Sequence, residues 1–234
     1  MSSTPKELLE RLSHEVTLLP GLSEHEIAQF QEQLPRLLPD EIRQLFLYSS
    51  GFAHPLLGTV RFNGVAGGVE FPLLPSSVSL LGDGCGNFWV ADINVSNGVW
   101  GPVFFVCHDP PVIAIQARDL ADFLSQILLP EETDPTEALK YVQKEAVTKI
   151  WMDDPWLTSV DEARRAQDHA VSKFAGQLPD NFRIADLRST KVGSGFSWGK
   201  AGPDADIRRY GSELIFGVEQ RAPGFLTRMF SKRP

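Results

Sequence analysis

One short stretch, LGDGCGNFWVADI, gathers most of the residues of this chain that could do chemistry. It runs from Leu81 to Ile93 and places three glycines, an acid, a cysteine and an amide before an alternating strand. A phosphate-binding loop would need Lys-Ser or Lys-Thr after the glycines, or G-x-G-x-x-G leading into a helix. These glycines lead into a strand, so we interpret them as a tight turn in which Asp83 and Asn87 bond to local backbone groups. The edge of this turn is also a candidate partner contact.

A metal site is the second chemistry to consider, because soft and imidazole ligands occur nearby. The candidate ligands are Cys85, Asp92, Cys107, His108 and Asp109. A structural zinc site needs four ligands in closely spaced pairs such as C-x2-C. The two cysteines are 22 residues apart and neither has a paired neighbour. We therefore expect no metal and no cofactor, and we expect both cysteines to be free and buried as small apolar residues.

Acid–base catalysis would need a carboxylate or a histidine held in a pocket. Asp92 is the unusual residue, because strand alternation places it on the same side as Phe88 and Val90. Two kinds of partner are open to it: backbone or hydroxyl donors, and His108 on the next strand. A hydrolase that uses Asp92 with His108 is the least favoured function, since G-x-S-x-G and H-E-x-x-H are absent and the strand region holds no lysine. We expect no enzyme.

Aromatic residues mark the strand region as a candidate binding surface. Trp89 alternates to the face opposite Phe88 and Val90, and Trp100 lies on a strand that the Asn-Gly turn should pair with it. Exposed tryptophans framed by acids are typical interface anchors. The expected partner surface is this sheet face with its rims: Asp83, Asn87, Trp89, Trp100, His108 and Asp109. The alternative is that residues 131–234 fold back and cover the tryptophans.

Helices come first along the chain and strands follow. The S-x-x-E box at Ser23 and the proline at Pro39 mark helix starts, and Gly51 marks a helix end at a left-handed residue. From Gly58 to Ile115, short runs rich in Val, Phe and Trp predict strands, with turns at NVSNG and HDPP. ARDLADFLSQIL then returns to helical spacing. This order predicts an α+β domain over residues 1–130, with helices packed on an antiparallel or mixed sheet.

Residues 131–234 carry weaker signals, and we interpret them as an extension that packs on the first domain. Pro130 to Pro135 marks the boundary. Two helices are predicted, one ending near Ile150 and one from Ser159 to Ala175, followed by a loop over residues 191–206. SELIFGVEQ is the one convincing strand, and it needs a sheet to join. Several basic residues could contact the acidic first domain, or instead a partner or an anionic surface: Arg208, Arg209, Arg221, Arg228, Lys232 and Arg233.

Charge is unevenly distributed between the two parts. Residues 1–130 hold 14 acidic and 6 basic residues, net −8, whereas residues 131–234 hold 16 of each, so the first part carries the whole net charge. An acidic first part argues against a nucleic-acid ligand, because phosphate contacts dominate that affinity. It fits a basic protein partner, although solubility alone also explains it. The longest apolar runs are too short to cross a bilayer and no signal peptide is evident, so we expect a cytoplasmic protein.

The ordered motifs resemble the SMI1/KNR4 family of the SUKH superfamily over roughly residues 20–128. The resemblance rests on GLSEHEIAQFQEQL, LPDEIRQLFLYSSGF, LGDGCGNFWVADI, GPVFFVCHDP and ARDLADFLSQIL, in that order. It implies an α+β fold without catalytic activity. Many bacterial members look like immunity proteins that bind a toxin, often a nuclease, and fungal members look like scaffolds in cell-wall signalling. Cys85 departs from the small or glycine residue usual in the turn. About 100 residues follow the part that resembles the family, and the resemblance implies nothing about them.

The resemblance leads to two hypotheses for function. The first is a non-enzymatic immunity protein that neutralises a co-produced toxin by direct binding, which needs only a complementary surface. The second is an intracellular adaptor of the same fold with a client that is not a toxin. Both hypotheses give the chain a protein partner, with no direct nucleic-acid contact and no membrane span.

Overall fold

Helices occur in both halves of the chain. The computed structural model describes residues 3–12, 14, 16–34, 36–65, 71–128, 136–202 and 204–220. The helices are α1 (Pro5–Leu12), α2 (Glu24–Glu32), α3 (Asp40–Tyr48), α4 (Leu120–Leu128), α5 (Thr136–Lys140), α6 (Val147–Asp153), α7 (Val160–Arg164) and α8 (His169–Ala175). A π-helical segment, Tyr141–Ala146, joins α5 to α6.

The described strands form three sheets in which every pairing is antiparallel. The strands are β1 (Thr17–Leu18), β2 (Gly51–His54), β3 (Gly58–Arg61), β4 (Ser77–Gly82), β5 (Phe88–Ile93), β6 (Trp100–His108), β7 (Pro111–Ala117), β8 (Leu157–Ser159), β9 (Phe182–Asp186), β10 (Gly195–Ser197), β11 (Ile207–Arg209) and β12 (Ile215–Glu219). A small sheet has the order β1-β2-β3, the central sheet β10-β7-β6-β5-β4, and the C-terminal sheet β11-β12-β9-β8. The α+β class is confirmed.

Local sequence signals explain where α2 and α3 begin. At α2 the Ser23 hydroxyl accepts the Glu26 backbone N–H at 3.3 Å, and a Glu26 carboxylate oxygen accepts the Ser23 N–H at 2.8 Å. This capping box satisfies two helix-end donors, as the S-x-x-E pattern predicts. The end of α3 differs from the prediction, because Ser49 leaves the helix in an extended conformation. Gly51 lies in β2, where a Cβ atom would stand 2.1 Å from the Val60 carbonyl oxygen.

The central sheet lies inside a four-layer stack. Side chains on one face, among them Trp89 and Phe105, join a core with α1, α3, α4 and α6. Side chains on the other face, among them Val90 and Phe104, pack against Phe216 and its neighbours in the C-terminal sheet. Helices α7 and α8 cover the outer face of the C-terminal sheet. The order of layers is therefore helices, central sheet, C-terminal sheet and helices.

The C-terminal residues contain more structure than their sequence predicts. SELIFGVEQ contains β12, as predicted, but the expectation of one strand in these residues is wrong, because β8 to β12 all lie there. The predicted helix over 159–175 is two helices, α7 and α8, and the predicted loop over 191–206 contains β10, which pairs with β7. Strands of three to five residues are too short to show a clear alternation. The boundary at 130–135 and the tail from Arg221 lie outside the described residues.

Candidate binding surface

The two tryptophans expected to anchor a partner are buried. Trp89 is 2% exposed, donates its indole N–H to the Gln116 side chain at 3.1 Å, and has its ring 5.0 Å from that of Phe105. Trp100 is 4% exposed and lies 6.0 Å from the Phe46 ring. The prediction that they are exposed is wrong, and neither can touch a partner directly in this structure.

The prediction failed because strand alternation separates two faces without saying which one the helices cover. The sequence prediction makes the Trp89 face of the sheet the open one, which leaves the helices to pack on the face of Phe88 and Val90. The helices cover the Trp89 face, and the C-terminal sheet covers the Val90 face. Residues after 131 do fold over the sheet, as the alternative stated, and residues 139–150 also join the core around Trp89. Neither face of the central sheet is open to a partner.

Asp92 is buried, but its partner is not the one proposed for a hydrolase. It is 1% exposed and accepts two hydrogen bonds from Arg209, Nη1 to Oδ1 at 2.9 Å and Nη2 to Oδ2 at 2.7 Å. His108 is exposed at the far end of β6 and bonds elsewhere. The prediction that Asp92 pairs with His108 is therefore wrong. Arg209 belongs to β11, so the ion pair joins the C-terminal end of β5 to the C-terminal sheet. It confirms that a basic residue of the second part contacts the acidic first part.

The glycine turn has the local bonding that the sequence predicts. Asp83 accepts the Cys85 backbone N–H at 2.8 Å and the Asn87 backbone N–H at 3.2 Å, and the Asn87 amide donates to Asp83 at 2.6 Å. Gly84 and Gly86 have φ values of 76° and 88°, which residues other than glycine rarely adopt. The stretch is a structural turn between β4 and β5, confirming that interpretation, and its tip is exposed.

A second turn lies against the first at the same end of the sheet. The Asn87 side-chain oxygen accepts the His108 backbone N–H at 3.0 Å and lies 3.1 Å from His108 Nδ1. His108 and Asp109 are exposed and begin the turn from β6 to β7, where HDPP predicts it. We call Asp83–Asn87 together with His108 and Asp109 the turn rim. Four of the six predicted contact residues thus lie together, and the two tryptophans do not.

The metal-ligand residues of the sequence do not form a cluster. No group of three or more His, Cys, Asp or Glu side chains within the described residues is arranged to hold a metal ion. Cys107 is buried and its burial raises the pKa of its thiol, in line with the expected apolar role. Cys85 is exposed at the tip of the turn rim, so the prediction that it is buried is wrong.

The fold can now be compared with known proteins. The elements follow one another in the order of the motifs that resemble the family: helices α2 and α3, strands β2 to β7, then helix α4. Residues 21–126 match the model of the SMI1 / KNR4 family (SUKH-1). The match confirms the resemblance predicted over residues 20–128, and we call residues 21–126 the SMI1/KNR4 region. No curated protein and no solved structure gives a significant match to the chain.

The SMI1/KNR4 region carries a second exposed feature that the sequence analysis missed. At the end of β5 opposite the turn rim, the Asn94 N–H donates to the Val99 carbonyl at 2.9 Å and closes a hairpin. Arg36 Nε donates to the Val95 carbonyl at 2.9 Å, which holds the segment before α3 against that hairpin. Leu37, Val95 and Val99 are exposed there by 83%, 38% and 54%. The two valines in the otherwise polar hairpin sequence NVSNGV are the sequence signal that could have indicated this exposed apolar feature.

None of the described helices is both long enough and apolar enough to cross a bilayer.

Proposed function

We propose that this protein is a non-enzymatic binding protein of the immunity type, which acts in the cytoplasm by binding and blocking a cognate toxin. The observation that carries the proposal is the match of residues 21–126 to the SMI1 / KNR4 family (SUKH-1). Inhibition of this kind requires a complementary surface that occludes the toxin, and no covalent bond in either protein is made or broken. The partner is therefore a protein.

The turn rim is the surface we propose for that contact. Hydrogen bonds among Asp83, Asn87 and His108 fix two turns against each other before any partner arrives. A surface fixed in advance loses less conformational entropy on binding, which supports affinity. Asp109 adds an exposed carboxylate beside these turns. Because the first 130 residues hold 14 acidic against 6 basic residues, a basic toxin surface would be attracted to this part of the protein, and Asp83 and Asp109 are the acidic residues of the turn rim.

Co-expression with the product of the neighbouring gene tests the proposal. If that product is toxic, cells that also make this protein should survive, and the two proteins should co-purify. The variant Asp109→Lys should slow association and lower its dependence on salt, because it weakens the electrostatic attraction that salt screens. Glu213→Lys is the matched control, since it makes the same charge change on an exposed residue outside the SMI1/KNR4 region.

Four results would contradict the proposed function or the proposed surface. The neighbouring product could be harmless, or the toxin could kill equally with and without this protein. A partner that binds while keeping its full activity would make the protein an adaptor. If Asp109→Lys and Glu213→Lys changed association equally, the turn rim would not be the contact surface.

A further inference from the structure

The imidazole of His108 in the turn rim has one ring nitrogen in a hydrogen bond and the other available to a partner. Nδ1 lies 3.1 Å from the Asn87 side-chain oxygen, and that oxygen also accepts the His108 backbone N–H at 3.0 Å. His108 is exposed, and its Nε2 makes no hydrogen bond to the residues that the structure describes. What Nε2 offers a partner depends on which of the two nitrogens carries the proton.

The hydrogen bonds around Asn87 fix the position of that proton. The Asn87 amide nitrogen donates to a carboxylate oxygen of Asp83 at 2.6 Å, and an ionised carboxylate only accepts hydrogen bonds. The other end of the amide is therefore the oxygen, in agreement with the backbone N–H of His108 that donates to it. An amide oxygen also only accepts, so Nδ1 of His108 donates to it and carries the proton. In the neutral ring Nε2 then has a lone pair and accepts hydrogen bonds.

Gly86 allows the ring to lie in this position. A Cβ atom at Gly86 would stand 3.2 Å from both Cε1 and Nδ1 of His108. Because non-bonded carbon atoms normally stay farther apart than this, a larger residue would push the imidazole away from Asn87. The ring is thus held between Gly86 and Asn87 before a partner arrives, so binding does not have to order it.

The charges of the turn rim favour a positively charged donor. Asp109 follows His108 in the chain and is exposed, and its carboxylate has no hydrogen bond or ion pair within the described residues. The turn rim contains two aspartates, Asp83 and Asp109, and no lysine or arginine. A group that donates to Nε2 therefore has negative charge beside it, and that charge attracts a cation more strongly than a neutral donor.

We propose that the turn rim binds an arginine of the toxin, with Nε2 of His108 accepting one guanidinium N–H and Asp109 attracting the charge. A guanidinium has five N–H donors in one plane, so one can bond to Nε2 while others stay available to the neighbouring carboxylate. A lysine ammonium is a compact and more strongly hydrated charge, so it loses more hydration on contact with an imidazole. The inference rests on the proposed function, because the arginine is taken to belong to the protein partner.

The position of the proton can be measured on the intact protein without a partner. The ring nitrogen shifts of protein labelled with 15N at histidine distinguish a protonated from an unprotonated nitrogen. At a pH that keeps the ring neutral, we expect His108 to be protonated at Nδ1 and not at Nε2. His25, an exposed histidine of α2 with no bond that fixes its ring, should show a mixture of both forms. A proton on Nε2 of His108, alone or in a mixture like that of His25, would overturn the proposal.

Three small probes test the binding of the cation. N-acetyl-argininamide carries the guanidinium, N-acetyl-citrullinamide replaces it with an uncharged group of the same length, and N-acetyl-lysinamide carries an ammonium. We expect the arginine probe to shift His108 Nε2 and the Asp109 backbone N–H, and to bind about threefold to fivefold more tightly than the citrulline probe. It should also bind more tightly than the lysine probe. His108→Leu and Asp109→Asn should each remove most of the preference for arginine over citrulline. His25→Leu and Glu213→Gln are matched changes at exposed residues outside the turn rim, and they should keep it.

Equal binding of the arginine and citrulline probes would overturn the proposal, and so would shifts confined to residues outside the turn rim. A lysine probe that binds as tightly as the arginine probe would overturn the assignment to arginine. If His108→Leu kept the full preference, Nε2 would not be the acceptor. The titration involves no toxin, so its failure and the failure of the co-expression experiment are separate results.

Discussion

Replacing Arg209 with methionine should destabilise the whole fold by several kilocalories per mole. Arg209 donates two hydrogen bonds to Asp92, at 2.9 and 2.7 Å, and its side chain is 12% exposed while that of Asp92 is 2% exposed. It also donates to the carbonyls of Ser212 and Glu213, and its guanidinium lies 5.5 Å from the centre of the Phe216 ring. The variant therefore strands a carboxylate inside the protein between two sheets.

The magnitude follows from that burial. Removal of one partner from a buried ion pair costs about 3 to 5 kcal/mol, because the remaining charge has neither water nor a counter-ion. Arg208 is the matched control on the same strand. It bonds to Asp206 at 2.6 Å, but the two side chains are 46% and 44% exposed, so water replaces the lost partner. Arg208→Met should cost at most about 1 kcal/mol.

Urea unfolding followed by tryptophan fluorescence measures the stability of Arg209→Met and Arg208→Met. The single variant Asp92→Leu and the double variant Asp92→Leu with Arg209→Met complete the comparison. Removal of both charges should recover about 2 kcal/mol relative to the sum of the single changes, since no unpaired charge stays buried. If Arg209→Met and Arg208→Met cost the same, the ion pair does not join the two sheets as described. Additive single changes would refute the pairing even if each were costly.

Three further predictions concern thiols, pH and the second half of the chain. A thiol reagent should label Cys85 at once and Cys107 only on unfolding, because burial protects Cys107 and raises its pKa; Cys85→Ser should abolish the fast phase. Burial lowers the pKa of His54 below its ordinary value of 6.5, so at pH values just below 6.5 the unfolded chain binds a proton at His54 more readily than the folded protein does. Stability should therefore fall as the pH drops below about 6.5, and His54→Gln should flatten that dependence in urea midpoints. A fragment of residues 131–234 should show no cooperative thermal transition, since β10 pairs with β7 and Phe216 packs on the central sheet; a sharp transition would make it an independent domain.

Signals between near neighbours in the sequence predicted the first half of the fold well. The capping box at Ser23 and the apolar spacing Ile42, Leu45 and Phe46 involve residues within one or two helical turns of each other, and α2 and α3 formed where expected. The glycine turn followed from positive φ and from short polar side chains that bond locally. By contrast, β8 and β10 have three residues each, so their pairing depends on distant strands rather than on their own sequence.

The candidate site was harder to predict, because the exposure of its residues depends on which layer covers each face of the central sheet. Alternation correctly separated Trp89 from Val90, yet only the complete stack shows that helices lie on one side and a second sheet on the other. The partner of Asp92 lies 117 residues away in the sequence, and no local pattern points to Arg209 among the basic residues of the second half. The Asn87–His108 contact spans 21 residues and joins two turns that were each predicted separately.

The C-terminal sheet determines which parts of the SMI1/KNR4 region a partner can reach. Among the described residues, Val90 and Phe104 are covered on one face of the central sheet and Trp89 on the other, so a partner meets turns and helix surfaces there. Turn residues tolerate substitution better than core residues, because their side chains contribute little to packing. A binding protein built in this way can change its partner through the turn rim while the buried Asp92–Arg209 pair keeps the two sheets together. Substitutions at exposed rim positions such as Asp109 should therefore alter partner binding with changes in unfolding free energy of at most about 0.5 kcal/mol.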